Sequence, residues 1–169
     1  LFVCGHPTLP ATQQIALALR IVSGLTVEQI ANAFLVSRAA MDQRITRAKR
    51  AIAEVGVEFD TPGAAERRTR LAAVSTMIYL IFNEGYSATA GDRWIRADLC
   101  EEAMRLGRIL AELSPDEPEV HGLVSLMELQ ASRFRARTGP GGEPVLLLDQ
   151  DRGRWDWVLI GRGLAALDR

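Results

Sequence analysis

Cysteine and histidine are scarce in this sequence, neither charge sign is in excess, and no long apolar run occurs. The two cysteines, Cys4 and Cys100, lie far apart, which argues against a disulfide framework and suits a reducing cytoplasm. Cys4 and His6 are too few ligands for a structural zinc site, and His121 stands alone on its helix with no partner visible in sequence. No metal or other cofactor is therefore expected. A net charge of −1 provides no global attraction for a polyanion, so any nucleic-acid binding has to be local. No stretch approaches the roughly 20 apolar residues that span a bilayer. The opening LFVCGHP has neither the basic region nor the small-residue cleavage site of a secretory signal. Strand signals are nearly absent, since β-branched residues are scattered and alternation is rare. No nucleophile–base pair or metal-ligating constellation stands out, which leaves an enzyme as the least favoured class.

What is present is a helical chain with a core. Of its 169 residues 48% are hydrophobic and 24% charged, enough apolar material for one or two small domains. The apolar spacing predicts helices over 12–22, ended by Ser23-Gly24, over 26–34, and over 38–55. GVEFDTPGAAE (56–66), with two glycines and a proline, reads as a linker. An apolar helix follows over 65–82 and ends in NEGY. The next, 92–113, carries Leu99, Ala103, Leu106, Leu110 and Leu113 along one face. Pro115 and Pro118 mark a turn, and 119–137 repeats the design with Val120, Leu123, Met127, Ala131 and Phe134. TGPGGEP is a loop, and VLLLDQ a short strand or extended strap. A last helix is expected from Asp151 or Arg152, with Trp155, Leu159 and Leu164 inside. Paired antiparallel helices joined by proline-containing turns resemble tetratricopeptide-like hairpins.

The segment GLTVEQIANAFLVSRAAMDQRITRAKR (24–50) has more specific content. Thr26 and Gln29 have capping-box spacing. Ile30, Ala31 and Phe34 supply an inner face, with Ala31 small where two helices cross. Leu35-Val36 is a short turn, Val36 is expected between helices, and Ser37 is a good N-cap for the next helix. Met41, Ile45, Ala48 and Ile52 form its core stripe, which turns Arg38, Asp42, Gln43, Thr46, Arg47, Lys49 and Arg50 outward. A short helix, a tight turn and a second helix with small, cationic and amide side chains outward describe a DNA-reading helix-turn-helix. Arginine can contact guanine, glutamine adenine, aspartate can accept from cytosine, and distal cations can meet phosphate. The alternative is an amphipathic bundle helix with a solvated face.

GLTVEQIANAFLVSRAAMDQRITRAKRAI (24–52) resembles region 4, the promoter-reading C-terminal domain of sigma-70-type factors, in the extracytoplasmic-function group; its ending RITRAKRAI (44–52) is the most telling part. Leu35 departs from the usual pattern, which has glycine or another small polar residue in the turn. The preceding CGHPTLPATQQIALALR is similar to the first half of that domain in a subgroup with a long helical C-terminal extension. YLIFNEGYSA, ADLCEEAMRLGRIL, GLVSLMELQASRFRAR and LLLDQDRGRWD resemble that extension.

The resemblance implies an all-α chain: a helix-turn-helix domain over 1–55, a linker over 56–64 and a helical, tetratricopeptide-like extension over 65–169. It implies as partners the −35 element of promoter DNA and core RNA polymerase, through the β-subunit flap, with a regulatory protein on the extension and no membrane. The candidate DNA-contacting residues are Arg38, Ala39, Asp42, Gln43, Arg44, Thr46, Arg47 and Arg50. The N-terminal half of the helix would read bases, while Arg44, Lys49 and Arg50 would hold phosphates or shape the polymerase-facing surface. A region 2 domain before residue 1 and further helical repeat after residue 169 are also implied. Leu1 is not methionine and Arg169 closes a helix without cap or tail, so the chain is expected to be a fragment of a longer protein.

Two charged segments in the extension stand out. In FNEGY, Gly85 is expected to end a helix with positive φ and Tyr86 to fold back onto it; Glu84 has the chemistry of a general base but no nucleophile beside it. In DQDRGRWD (149–156), Arg152 or Arg154 is a candidate to pair with Glu84 or Asp149. Two other functions fit the sequence. One is a helix-turn-helix regulator that is not a sigma factor. The other is a protein-binding helical scaffold that touches no DNA.

Overall fold

Helical periodicity carries through to the fold. The computed structural model describes residues 4–6, 8–55, 64–86 and 95–169, with 64–69 described by backbone only. Among the described residues seven α-helices occur in this order: α1 Ala11–Ile21, α2 Val27–Ala33, α3 Arg38–Glu54, α4 Ala64–Tyr86, α5 Ala97–Leu113, α6 Pro118–Ala131 and α7 Trp157–Leu167. Single 3-10 turns lie at Phe134–Ala136, Leu147–Asp149 and Arg152–Arg154. Among the described residues there is no strand, only an isolated bridge between Thr138 and Pro144. The expected linker lies outside the described residues over 56–63. By their contacts the residues form two compact units, Leu1–Leu80 and Ile81–Arg169.

In the first unit, α1 and α2 both pack on α3. The α1 helix buries Ile15, Ala16, Leu17, Ala18 and Leu19. It stops where Gly24 takes φ +66 and lets the Leu25 amide return to the Leu19 carbonyl at 3.0 Å, a left-handed stop that glycine adopts without Cβ strain. Gln14 Nε2 donates to the His6 and Leu9 carbonyls at 3.1 and 3.0 Å and ties the preceding segment to α1. The expected capping box forms at α2: the Gln29 amide donates to Thr26 Oγ1 at 3.2 Å and the Thr26 amide to Gln29 Oε1 at 2.8 Å. Ser37 caps α3 by accepting from the Ala40 amide at 3.2 Å. Ile30, Ala31, Met41, Ile45 and Ala48 are buried as expected, while Val36 and Ile52 are half-buried.

In the second unit the sequence reading needs correction at several points. The α4 helix continues through NEGY to Tyr86, and Gly85 is helical rather than a positive-φ terminator. Its smallness serves packing instead. A Cβ at Gly85 would sit 2.7–2.9 Å from Cys100 Sγ, the Arg96 carbonyl and the Cys100 amide. The Gly85 carbonyl accepts from the Arg96 amide at 2.8 Å, and Cys100 Sγ donates to the Phe82 carbonyl at 3.5 Å. A side chain from far along the chain satisfies the end of α4. Arg137 Nη1 donates to the Tyr86 carbonyl at 2.7 Å, with its guanidinium 3.7 Å above the Tyr86 ring. The Tyr86 hydroxyl donates to Gln130 Oε1 at 2.9 Å and accepts from Arg133 Nη2 at 3.1 Å. Burial lowers the Arg137 pKa from its ordinary value, with Tyr86 opposing the shift.

The α5 helix buries Leu99, Ala103, Leu106 and Leu110, but Leu113 is exposed, because it closes the helix just before the Pro115 turn. The α6 helix ends at Ala131 rather than 137. Ser132 Oγ bonds back to the Leu129 carbonyl at 2.7 Å, and the Ser132 carbonyl accepts from the Asp156 amide at 2.8 Å. Phe134 leaves the helical path to join Phe82 and Tyr86, with ring centroids 6.4 and 5.9 Å away. Within the α6 stripe Val120, Met127 and Ala131 are buried and Leu123 is half-buried.

The last helix begins at Trp157, not 151 or 152. Asp156 caps it by accepting from the Val158 and Leu159 amides at 3.0 and 3.1 Å, while Asp151 caps only the 3-10 turn before it. This α7 packs on α6 through Gly163, where a Cβ would lie 2.8 Å from Leu129 Cγ. That choice of face leaves Leu164, expected inside, exposed. Arg152 lies over the Trp155 ring and Arg154 Nη1 reaches the Thr138 carbonyl at 3.5 Å. In VLLLDQ a 3-10 turn at Leu147–Asp149 replaces the strand or strap.

Candidate nucleic-acid interface

The α3 helix presents the candidate face because its apolar residues fix its rotation. Met41, Ile45 and Ala48 point into the first unit at 0–3% exposure, and helical geometry then turns 39, 43, 46, 47 and 50 to the opposite side. The structure exposes Arg38, Ala39, Asp42, Gln43, Thr46, Arg47, Lys49 and Arg50. Over 38–50 the exposed cations Arg38, Arg47, Lys49 and Arg50 face a single acid, Asp42. This produces a local positive stripe on a chain of net charge −1. Arg47 Nη2 donates to Gln43 Oε1 at 3.4 Å, so a donor fork and an amide stand side by side one turn apart. Ala39, small and exposed, adds little bulk to this face.

Arg44 stands apart from the other candidates. It is half-buried, and its guanidinium lies 5.9 Å from the centroid of the Phe34 ring at the end of α2. Such a cation–π contact braces α2 against α3. Sequence reasoning missed it, although Phe34 and Arg44 flank the turn in the sequence.

The turn itself holds the second feature that sequence did not specify. Leu35 has φ 53, the one positive-φ side-chain-bearing residue among those described. Its amide bonds to the Asn32 carbonyl at 3.3 Å and the Val36 amide to the Ala31 carbonyl at 3.0 Å. The turn therefore keeps a glycine-type geometry while carrying leucine.

The remaining candidate groups have defined surroundings among the described residues. Among the described residues no group of three or more His, Cys, Asp or Glu side chains is placed to hold a metal ion. His6 Nδ1 is 2.7 Å from Thr8 Oγ1. His121, expected without a partner, is buried with Nε2 2.8 Å from the Pro115 carbonyl. Both cysteines are free and buried, and burial pushes their thiols up, Cys100 to about 12. They are poor nucleophiles. Glu128 is a buried acid that sequence reading passed over. It lies four residues after Val124 and is buried alongside the polar side chains His121, Ser125 and Ser132, so the apolar stripe of α6 did not single it out.

Comparison with known proteins bears on both halves of the chain. The model of a family of unknown function, DUF6596, matches residues 70–169, more than half of the chain. The chain belongs to that family. In this DUF6596 member, residues 4–52 match the family model of Sigma-70, region 4, so the helix-turn-helix just described is a sigma-70 region 4 domain. An uncharacterized protein, R00370, from Rhizobium meliloti (strain 1021) is 62% identical over 169 residues, all of this chain and 40% of that protein. The chain thus spans about two-fifths of that curated relative's length. No solved structure matches. Among the described residues no helix is long and apolar enough to cross a membrane.

Proposed function

We propose that this DUF6596 chain is the promoter-reading and regulatory part of an alternative sigma factor of the extracytoplasmic-function group. In this reading α3 enters the major groove of the −35 element. Ala39, Asp42, Gln43, Thr46 and Arg47 face base edges, while Arg38, Lys49 and Arg50 hold phosphates. Arg44 acts through the α2–α3 brace and reaches phosphate only at its edge. The β-subunit flap of core polymerase is the second partner of the domain, and the protein works in the cytoplasm.

The organisation proposed is a region 4 domain over 1–55, a linker over 56–64 and a helical extension over 65–169; the matches at 4–52 and 70–169 support it. The extension is read as tetratricopeptide-like and regulatory, on the strength of the successive packing of α5 on α6 and of α6 on α7. A regulatory protein is its proposed partner. The single observation carrying the whole reading is the positive stripe on a correctly capped α3 within a region 4 match.

Selection of duplexes from a randomised pool, followed by fluorescence anisotropy with the chosen site, tests it. We expect one −35-like sequence to be enriched and log K to fall linearly with log salt. Arg47→Ala should weaken binding to that site by about 1–3 kcal/mol. Absence of any sequence preference, or affinity unchanged by salt, overturns the DNA-reading assignment.

A further inference from the structure

The second unit contains a cavity of about 490 Å³ lined by α5, α6 and α7 and by the turn at Pro115. Its volume is within the range of small-molecule sites, roughly 300–1,000 Å³. Its floor carries an anomaly. Glu128 is 1% exposed, and Arg108 Nε donates to its Oε1 at 2.6 Å. Its other oxygen, Oε2, is buried with no hydrogen-bond partner among the described residues. An unmatched buried carboxylate oxygen is costly, so a donor at this point has a strong gain available. Arg162 and Arg169 line the same cavity from α7 and beyond its end, with no ion pair to a described carboxylate. Val124, Ala165 and Ala166 supply apolar wall.

We propose that this cavity is a binding site for a small amino-carboxylate, the size of a free amino acid or a dipeptide. The ligand's ammonium group donates to Glu128 Oε2, and its carboxylate meets the guanidinium of Arg162, helped by Arg169. Arg108 orients the Glu128 carboxylate as the acceptor. Carboxylates, Glu128 and Glu112, and guanidinium groups, Arg162 and Arg169, in the lining of one cavity suit a ligand that carries both charges. A simple anion leaves Oε2 unmatched, and a simple cation meets the arginines. The site lies wholly in the second unit and does not depend on the promoter reading. Occupancy would fasten α7, which packs mainly through Gly163, to α5 and α6.

The test is calorimetric titration and thermal shift of the intact chain with each of the common L-amino acids and glycylglycine as ligands, and with glycinamide and acetate as the two single-charge controls. We expect saturable binding of at least one amino-carboxylate below about 10 mM, with neither control binding. Glu128→Gln keeps an oxygen for Arg108 and replaces the free acceptor by an NH₂ donor, so it should weaken binding at least about tenfold. Arg162→Ala, at an exposed position that leaves the fold alone, should do the same. No saturable binding by any member overturns the proposal, as does binding that Arg162→Ala leaves unchanged. Acetate or glycinamide binding as well as the zwitterion also overturns it.

Discussion

Leu35 shows how much a single dihedral angle carries. A side chain at φ 53 presses its Cβ towards the following carbonyl, a strain of about 1–2 kcal/mol that glycine does not have. The side chain is more than half exposed and gains little from burial in return. Leu35→Gly should therefore stabilise the chain, by up to about 1 kcal/mol once the greater freedom of glycine in the unfolded state is subtracted. Urea denaturation at constant m-value measures it, and a destabilised variant would mean that Leu35 makes contacts worth more than its strain. The departure at this position was visible in sequence. Its conformation was not, because leucine in a turn normally predicts a residue with negative φ.

At the scale of elements, two glycines in helices have opposite meanings. Gly85 in α4 has no room for a Cβ against Arg96 and Cys100, whereas Gly122 in α6 has nothing within 4 Å. Gly85→Ala should cost about 1–3 kcal/mol, since backbone and sulfur must both move. Gly122→Ala should stabilise by about 0.5–1 kcal/mol through helix propensity alone. Thermal melts of the two variants side by side decide this, and shifts of equal sign would overturn the packing account. Sequence treated Gly85 as punctuation because NEGY has the look of a helix end. What decided otherwise was the first turn of α5, whose approach no local pattern encodes. The caps at Thr26 and Ser37, by contrast, were legible because each is made within three residues. The end of α6 and the start of α7 were not, because Ser132 and Asp156 settle them together across the chain.

For the molecule as a whole, the buried thiols give its stability a pH dependence. Burial raises Cys100 to about 12 from an ordinary 9.0, and Cys4 moves in the same direction. Between those values the unfolded chain has released the Cys100 proton and the folded chain still holds it. Stability is then complete below about pH 9 and falls as pH rises towards 12. Cys100→Ala should flatten this alkaline decline while leaving part of it to Cys4. Urea midpoints measured at neutral and alkaline pH follow the effect; a decline equally steep in the variant would remove Cys100 as its source. The class of fold, the helix-turn-helix and its outward face could all be read from period and caps. The cavity, the Glu128–Arg108 pair and the Arg44 brace could not, since each joins side chains that only tertiary packing brings together.

The arginine that closes α4 stands 51 residues beyond the tyrosine whose carbonyl it satisfies. A ribosome synthesises the chain from its N-terminus, so α4 is made long before Arg137 emerges. Until then its last turn has an unfulfilled carbonyl and an uncovered aromatic face formed by Phe82 and Tyr86. The helices α1–α3 pack on one another, and the caps of α2 and α3 are made within three residues, so they need nothing from so far downstream. Nascent chains should therefore acquire the region 4 domain first and complete the second unit only after the segment carrying Phe134 and Arg137 has cleared the exit tunnel. A stop codon placed between residues 86 and 134 would release a product whose first three helices resist protease while the end of α4 is cut.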